Sequence, residues 1–276
     1  MYQNRILEYR CQNNFIYQIQ GATKLFFVIL ISIASMFVYH IWFLLGIAIL
    51  SLFLLFCSQI KWYQIAKIVK GIVFFLCLNN LMILLFFHKY GAIVYHDSAP
   101  PLFWFITRAQ LFYHLNLFLK YCCIIPLFLV FVLTTNPSEL AASLNQWGIN
   151  YKTSYALALT IRYIPGIQKD YQNMNLMQQA RGLKRISKKN FIIKIINKIQ
   201  KITFTIISLI FWNLEKIDII TNAMQLRRFG QNPKRTWYYY KKFSFLDLCT
   251  LFLGFILLLL SIYLLYRFKR FYYPFK

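Results

Sequence analysis

The chain has 276 residues, of which 59% are hydrophobic and only 14% charged, where a soluble globular domain carries about 25% charged residues. That excludes a soluble domain and points to an all-α, polytopic membrane protein. The net charge of +24, from 31 Lys+Arg against 7 Asp+Glu, sits beside long apolar runs, so the basic residues are read against anionic lipid and the negative side of a bilayer, not against nucleic acid.

The first 24 residues, "MYQNRILEYRCQNNFIYQIQGATK", hold no apolar core and match neither a cleaved signal nor an Arg- and Ser-rich transit peptide. Insertion by the first span is expected. Apolar residues then run from Leu25 to Cys57. This is too long for one span of about 20 residues and just enough for two short ones. It predicts a helical hairpin, 25–39 and 41–57, turning near His40, with Lys24 snorkelling to the head groups. The stretch 58–70 carries Lys61, Lys67 and Lys70 and no acid, and reads as a basic loop. A third span is expected at 71–87. Its Asn79 and Asn80 should face other helices, because lipid offers them no partner.

The loop 88–108 holds Pro100–Pro101, and a fourth span is expected at 109–133 with Lys120 inside it. A lysine left in hydrocarbon costs at least ~2.5 kcal/mol, so Lys120 should face protein or water. From Thr134 to Lys242 the character changes, with 18 Lys+Arg against 4 acids and apolar residues at helical spacing. A last span is expected at 245–266, with Ser244 as its cap and Asp247 in its first turn. The expected organisation is a membrane domain over 1–133, a basic domain over 134–242, and a final span with tail over 243–276. About five spans put the termini on opposite sides. Counting basic residues places 58–70 and 134–242 on the cytoplasmic side or its equivalent. The tail "YRFKRFYYPFK" carries four basic residues and points the other way; the larger block decides.

Within the basic block, "TTNPSELAASLNQWG" reads as a short helix with Asn136 as N-cap, Pro137 at the first helical position, Glu139 as capping-box partner and Gly148 as stop. A longer helix is expected from near Thr153 to Arg181–Gly182, with Leu157, Ile161, Ile164, Ile167, Tyr171, Met174 and Met177 on one stripe. Pro165 should kink it. Another is expected from near Asn190 to Arg227–Arg228–Phe229–Gly230, with its own stripe from Ile199 to Met224. Each has a polar face, so the two read as amphipathic helices lying against each other or under the membrane. Ile202–Trp212 is apolar enough that a further span there stays open.

Both helices end alike, in "LMQQARGLKR" and "NAMQLRRFG". Arginine suits the negative end of a helix dipole and glycine suits the position just beyond the end, so ordinary helix termination accounts for the pattern. A second reading is that two exposed tips offer guanidinium groups to acidic sockets on a partner.

The six cysteines show no C-x-x-C spacing and read as free thiols, and the four histidines show no H-E-x-x-H spacing. His96–Asp97 reads as a solvated loop pair, not as a metal site. No glycine is followed by lysine, so no phosphate-binding G-x-x-x-x-G-K exists here. No paired carboxylates or Ser-His-Asp set appears either. No catalytic residue, metal site or cofactor is expected.

From "ATKLFFVIL" to the last span the chain resembles the transmembrane T component of energy-coupling factor transporters, of the cobalt-transport CbiQ and EcfT-like family. The resemblance is strongest in "TTNPSELAASLNQWGINYKTSYALALTIRYIP", "QQARGL" and "AMQLRRFG". Arg162–Tyr163–Ile164–Pro165 matches the family's Arg-aromatic-Ile-Pro stretch. Ala180–Arg181–Gly182 matches its first Ala-Arg-Gly motif. The second is degenerate: Leu226–Arg227–Arg228 keeps the central arginine and loses both small neighbours, and Gln225 stands where the family usually has Glu.

The resemblance implies an L-shaped fold of membrane helices plus three cytoplasmic coupling helices, and a non-catalytic subunit. Such a subunit holds two ABC-type ATPases and a substrate-binding membrane S component together for uptake of a vitamin or metal ion. The arginine of each motif would pair with acidic groups in a groove on an ATPase, which makes Ala180, Arg181, Gly182, Leu226, Arg227 and Arg228 the expected contact residues. Arg162 and Pro165 are expected to be structural. The competing class is a membrane enzyme or stand-alone carrier with a basic cytoplasmic domain; internal repeats, which a carrier would want, are not evident. The richness in Phe, Ile, Lys, Asn and Tyr follows AT-rich codons, which fits the inner membrane of an AT-rich bacterium or a plastid membrane, where the basic face would be stromal.

Overall fold

The computed structural model describes residues 15–60, 62–87, 90–95, 107–181, 191–232 and 236–268. Among them it contains ten α-helices and no strand: α1 Phe15–Gln18, α2 Gly21–Phe37, α3 Ile41–Cys57, α4 Trp62–Phe86, α5 Tyr90–Tyr95, α6 Arg108–Thr134, α7 Pro137–Gln146, α8 Tyr151–Ala180, α9 Phe191–Leu226 and α10 Phe245–Phe268. They form two compact units, 1–143 with 241–276, and 144–240. Three helices are long and apolar enough to cross a bilayer, Ile68–Phe86, Arg108–Thr134 and Phe245–Phe268, while α2 and α3 are shorter apolar helices of 17 residues each. This is an all-α, polytopic membrane protein.

Two expectations are corrected. The basic stretch read as a loop is helical from Trp62, because nothing between Trp62 and Lys70 breaks a helix and its lysines tolerate one well. The following loop contains the short α5. The pair His96–Asp97 and the prolines 100 and 101 lie outside the described residues.

The core of the first unit is α2, α3 and α6. Phe27, Ile31, Ala34 and Val38 of α2 meet Phe43, Leu44, Ile47 and Ala48 of α3 and Cys123 and Leu127 of α6. Small residues at the contact let the backbones approach, as membrane helices require. Ser51 Oγ donates to Cys122 O at 2.9 Å, and Cys123 Sγ to Leu44 O at 3.1 Å.

Lys120, Asn79 and Asn80 of the spans each find partners within this unit. Lys120 is 8% exposed. Its Nζ donates to Met36 O at 3.0 Å, the carbonyl of α2's last turn, and lies 3.3 Å from the ring centroid of Tyr39. Asn79 and Asn80 both turn toward α6: Tyr121 Oη donates to Asn79 Oδ1 at 3.3 Å, and Asn80 Oδ1 stands 3.0 Å from His114 Nδ1. Because a carboxamide oxygen only accepts, His114 carries its proton on Nδ1. Its Nε2 is then the acceptor for Gln110 Nε2 at 3.2 Å.

At the other end of α2, the helix starts converge. Asp247 is fully buried. Its Oδ1 accepts from Gln20 N at 2.8 Å and its Oδ2 from Ser244 N at 2.8 Å, so one carboxylate serves the N-cap residues of both α2 and α10. Ala22 N donates to Ser143 Oγ at 2.9 Å. Lys241 Nζ bridges Glu139 Oε1 at 2.7 Å and Tyr17 O at 2.6 Å. Asn136 Oδ1 accepts from Ser138 N at 3.1 Å as the expected cap. The other arm of that capping box is replaced, because the carboxylate of Glu139 is drawn to an ammonium, a stronger donor than a backbone N–H. Gly21 is what allows the close seating: a Cβ there would stand 2.8 Å from Thr135 Cγ2 and 3.0 Å from Leu140 Cα.

A buried donor left without an acceptor costs about 1–3 kcal/mol. Asp247→Ala orphans one buried and one part-buried donor, so it should lower stability by about 2–4 kcal/mol. Asp247→Asn, which keeps one carbonyl oxygen, should lose about half of that. Thermal unfolding in detergent, followed by circular dichroism, checks the order; equal melting of all three proteins would refute it.

Candidate functional site

The second unit is dominated by two long helices, α8 of 30 residues and α9 of 36 residues. Asn150 caps α8, its Oδ1 accepting from Lys152 N at 3.2 Å, so the helix begins at Tyr151 rather than near Thr153. Gly148, at φ +99°, ends α7 as expected: Ile149 N bonds Leu144 O at 3.2 Å and Gly148 N bonds Asn145 O at 3.1 Å, a pairing that needs a left-handed residue between. The helix α8 runs unbroken through Pro165. Pro165 and Arg162 are both exposed on it. α9 is not among the helices long and apolar enough to cross a membrane; its lysines 194, 198 and 201 interrupt the apolar run.

The two helices pack antiparallel. Lys216 Nζ pairs with Asp170 Oδ2. Thr205 Oγ1 donates to Gln178 Oε1 at 2.8 Å. The ring of Phe229, just past α9, lies 4.8 Å from Tyr155 and 5.7 Å from Tyr151 in the first turns of α8. Later residues of α9 thus meet earlier residues of α8. The consequence is geometric. Arg181 stands at the far end of α8, 26 residues beyond the point where α9's end is anchored on Tyr155. At 1.5 Å per residue the two arginine ends are about 40 Å apart.

The ends differ in construction. Arg181 is exposed and is the C-cap of α8, its N–H bonded to Met177 O at 3.0 Å; Ala180 before it is exposed, and Gly182 lies outside the described residues. At α9 the expectation that glycine supplies the left-handed stop is corrected. Arg228 takes that position at φ +52°, and Gly230 is left-handed two residues later at φ +93°. Phe229 N bonds Met224 O and Arg228 N bonds Gln225 O, both at 2.9 Å, the same paired termination seen at Gly148. Phe229 forces the choice: its ring must reach Tyr151 and Tyr155, so the reversal has to occur one residue before it. Leu226 is 87% exposed at this tip, and Arg227 and Arg228 are exposed beside it.

Sequence reading singled out the arginines but missed the residues that place them: Phe229, the Asp170–Lys216 pair, and Trp237, whose Nε1 donates to Asn145 Oδ1 at 3.0 Å. One signal was available for the ion pair. In a chain with seven acids, an acid on an otherwise basic helix has few uses other than a specific pair.

A left-handed conformation costs a residue with a Cβ about 1 kcal/mol more than glycine. Arg228→Gly should therefore tighten the α9 end by about 1 kcal/mol, read as slower amide exchange in residues 220–227. Phe229→Ala should do the reverse and free the tip from α8. Faster exchange in the glycine variant would sink this account of the stop.

Residues 12–239 match the model of the CbiQ family, described as cobalt transport protein. The chain is 24% identical over 250 residues to the energy-coupling factor transporter transmembrane protein EcfT of Staphylococcus aureus, covering 87% of this chain and 88% of that one. It is also 24% identical over 237 residues to the protein of the same name from Streptococcus equi, covering 82% and 83% of the two chains. With the family model covering most of its length, this all-helical membrane chain belongs to the CbiQ family of cobalt transport proteins.

Proposed function

We propose that the chain is the transmembrane coupling subunit, or T component, of an energy-coupling factor transporter. In this role it links two ABC-type ATPase subunits to a substrate-binding membrane S component. The relatives' names support the class. The observation that carries the mechanism is the antiparallel pairing of α8 and α9, which sets one arginine end at each extreme of the pair. Ends about 40 Å apart cannot enter one pocket, whereas they suit two partner sites, one per ATPase.

In this reading Arg181 enters an acidic groove on one ATPase, with Ala180 and Gly182 leaving room for its backbone to approach. Arg227, flanked by Leu226 and Arg228, enters the groove of the other. A stiff pair of helices transmits any change in the separation of the two grooves as a rigid rotation of one helix against the other. The Asp170–Lys216 pair and the Thr205–Gln178 contact lie between the two ends and form the pivot. The chain itself is non-catalytic. Choice of substrate, a vitamin or a metal ion, belongs to the S component. The basic block 134–242 lies on the cytoplasmic face of a bacterial inner membrane, or the stromal face of a plastid membrane.

Two experiments test this. A charge-assisted hydrogen bond to a carboxylate contributes about 1.5–3 kcal/mol, so Arg181→Ala should weaken ATPase capture about tenfold or more. Arg227→Ala should cost less, because Arg228 stands beside it. The double change Arg181→Glu with Arg227→Glu should leave the membrane unit folded and abolish ATP-driven uptake in vesicles. Normal pull-down and normal uptake by that double variant would reduce both arginines to helix terminators. For orientation, a cysteine replacing the exposed Lys198 in a cysteine-free background should react with an impermeant maleimide from the cytoplasmic side. Reaction from the opposite side alone would invert the topology.

A further inference from the structure

The first unit holds a cavity of about 320 Å³ walled by α2, α3, α6 and α10. Its lining is apolar on nearly every side, with Val28, Leu50, Leu54, Leu127 and Leu253 among the walls, and one charged side chain reaches it, Lys24. The wall residues come from the N-terminal parts of α2 and α10 and the C-terminal parts of α3 and α6, with Ile16 of α1 and Ile19 beside the start of α2. The cavity therefore occupies the depth of one leaflet, and the lysine marks its polar end.

Lys24 is 7% exposed. Its Nζ donates to Thr134 O at 3.1 Å and Thr134 Oγ1 at 3.3 Å. The ammonium also lies 5.8 Å from the centroid of the Tyr17 ring; it has three donors, and with two on Thr134 one N–H is left for an acceptor in the cavity. Among the described residues no carboxylate lies within 4.0 Å of it: Glu139 is held by Lys241, and the oxygens of Asp247 take two backbone N–H groups. On the opposite side the cavity opens past Phe53, 64% exposed, and Leu253, 39% exposed. These stand on helices whose outer faces, such as Leu52 and Phe252, are exposed apolar surface. In a bilayer the medium at that mouth is hydrocarbon, and a cavity with apolar walls stays dry and takes an apolar guest.

We propose that this cavity is a binding site for a single phospholipid of the leaflet on the basic side. One acyl chain lies between α3, α6 and α10, and an ester or phosphate oxygen accepts a hydrogen bond from Lys24. Charge at the head-group end and hydrocarbon walls beyond it match a lipid along its own length, which neither a free anion nor a plain hydrocarbon does. The site rests on the membrane-spanning reading of the first unit and not on ATPase docking, so either can fail alone. The bound chain would fill the seam between α10 and the α2–α3 hairpin and tie the last span to the core.

The test uses the full chain in vesicles containing phosphatidylglycerol with a diazirine in one acyl chain, with adducts mapped by mass spectrometry. Adducts should concentrate on Leu50, Phe53 and Leu253 relative to Phe74 of α4, an exposed residue outside the cavity. Thr250→Trp, which fills the cavity, should remove the wall adducts and leave those at Phe74; Val28→Phe does the same from the opposite wall if the first variant fails to fold. Lys24→Gln should lower wall labelling about tenfold, the scale of one lost charge-assisted hydrogen bond. Millimolar inorganic phosphate should not compete. Equal labelling at the walls and at Phe74, or labelling that survives both filled variants, would overturn the site. So would wall labelling that vanishes once partner subunits are assembled, which would show that a protein covers the mouth.

Discussion

The buried carboxylate of Asp247, 227 positions along the chain from Gln20, joins the starts of α2 and α10. A helix start exposes unpaired N–H groups, and in a membrane unit there is little water to satisfy them. Asp247 resolves this for α2 and α10 at once, by giving one oxygen to each N-cap residue. Lys241 and Glu139 then add α7 and the segment before α10 to the same cluster, and Gly21 lets α2 seat against the α6–α7 turn. The first unit is thus closed at one end by electrostatics and backbone pairing, and the apolar packing of α2, α3 and α6 builds away from that end.

The other polar residues in the spans follow the same logic with different partners. Lys120 serves as a remote terminator of α2, taking a carbonyl that the helix cannot satisfy itself, with the face of Tyr39 spreading its charge. The carboxamides of Asn79 and Asn80 join α4 to α6, while Phe74, Phe75 and Phe86 elsewhere on α4 are exposed. Polar contacts between membrane helices are worth roughly 0.6–2 kcal/mol each. Here they act mainly as register marks: they decide which face of α4 meets α6.

The second unit depends on a different kind of contact. Contacts that hold the antiparallel pair include an ion pair, a hydroxyl on a carboxamide, and an aromatic ring between two tyrosines. The arginine ends owe their separation to that direction of packing. Parallel packing of the same two helices would bring both ends to one place and could not present them to separated partners. The function proposed for the chain accordingly rests less on the arginines' chemistry, which any helix end can use, than on the distance between them.

Much of this was legible in sequence. The apolar runs, their lengths and the shift to basic, periodic helices follow from one-dimensional rules, because a bilayer demands about 20 apolar residues per span and a helix repeats every 3.6. The apolar helix Ile41–Cys57, the cap at Asn136 and the stop at Gly148 all sit in local patterns that carry their own physical reason. The start of α4 at Trp62 differs from the expected basic loop because lysine, although it marks a polar boundary, is a good helix former. What the chain order could not reveal was which partner each rare acid takes. Glu139 reads in sequence as a capping-box residue and is the counter-ion of Lys241; Asp247 reads as a first-turn acid of one helix and serves the starts of two. Arg228, not a glycine, holds the left-handed stop of α9, because Phe229 beside it must reach Tyr151 and Tyr155. Sequence determined the helices and their polarity, since those depend on neighbours three and four residues away. Tertiary structure alone decided the pairings, the direction of α8 against α9 and the cavity above Lys24, since these depend on groups brought together from distant parts of the chain.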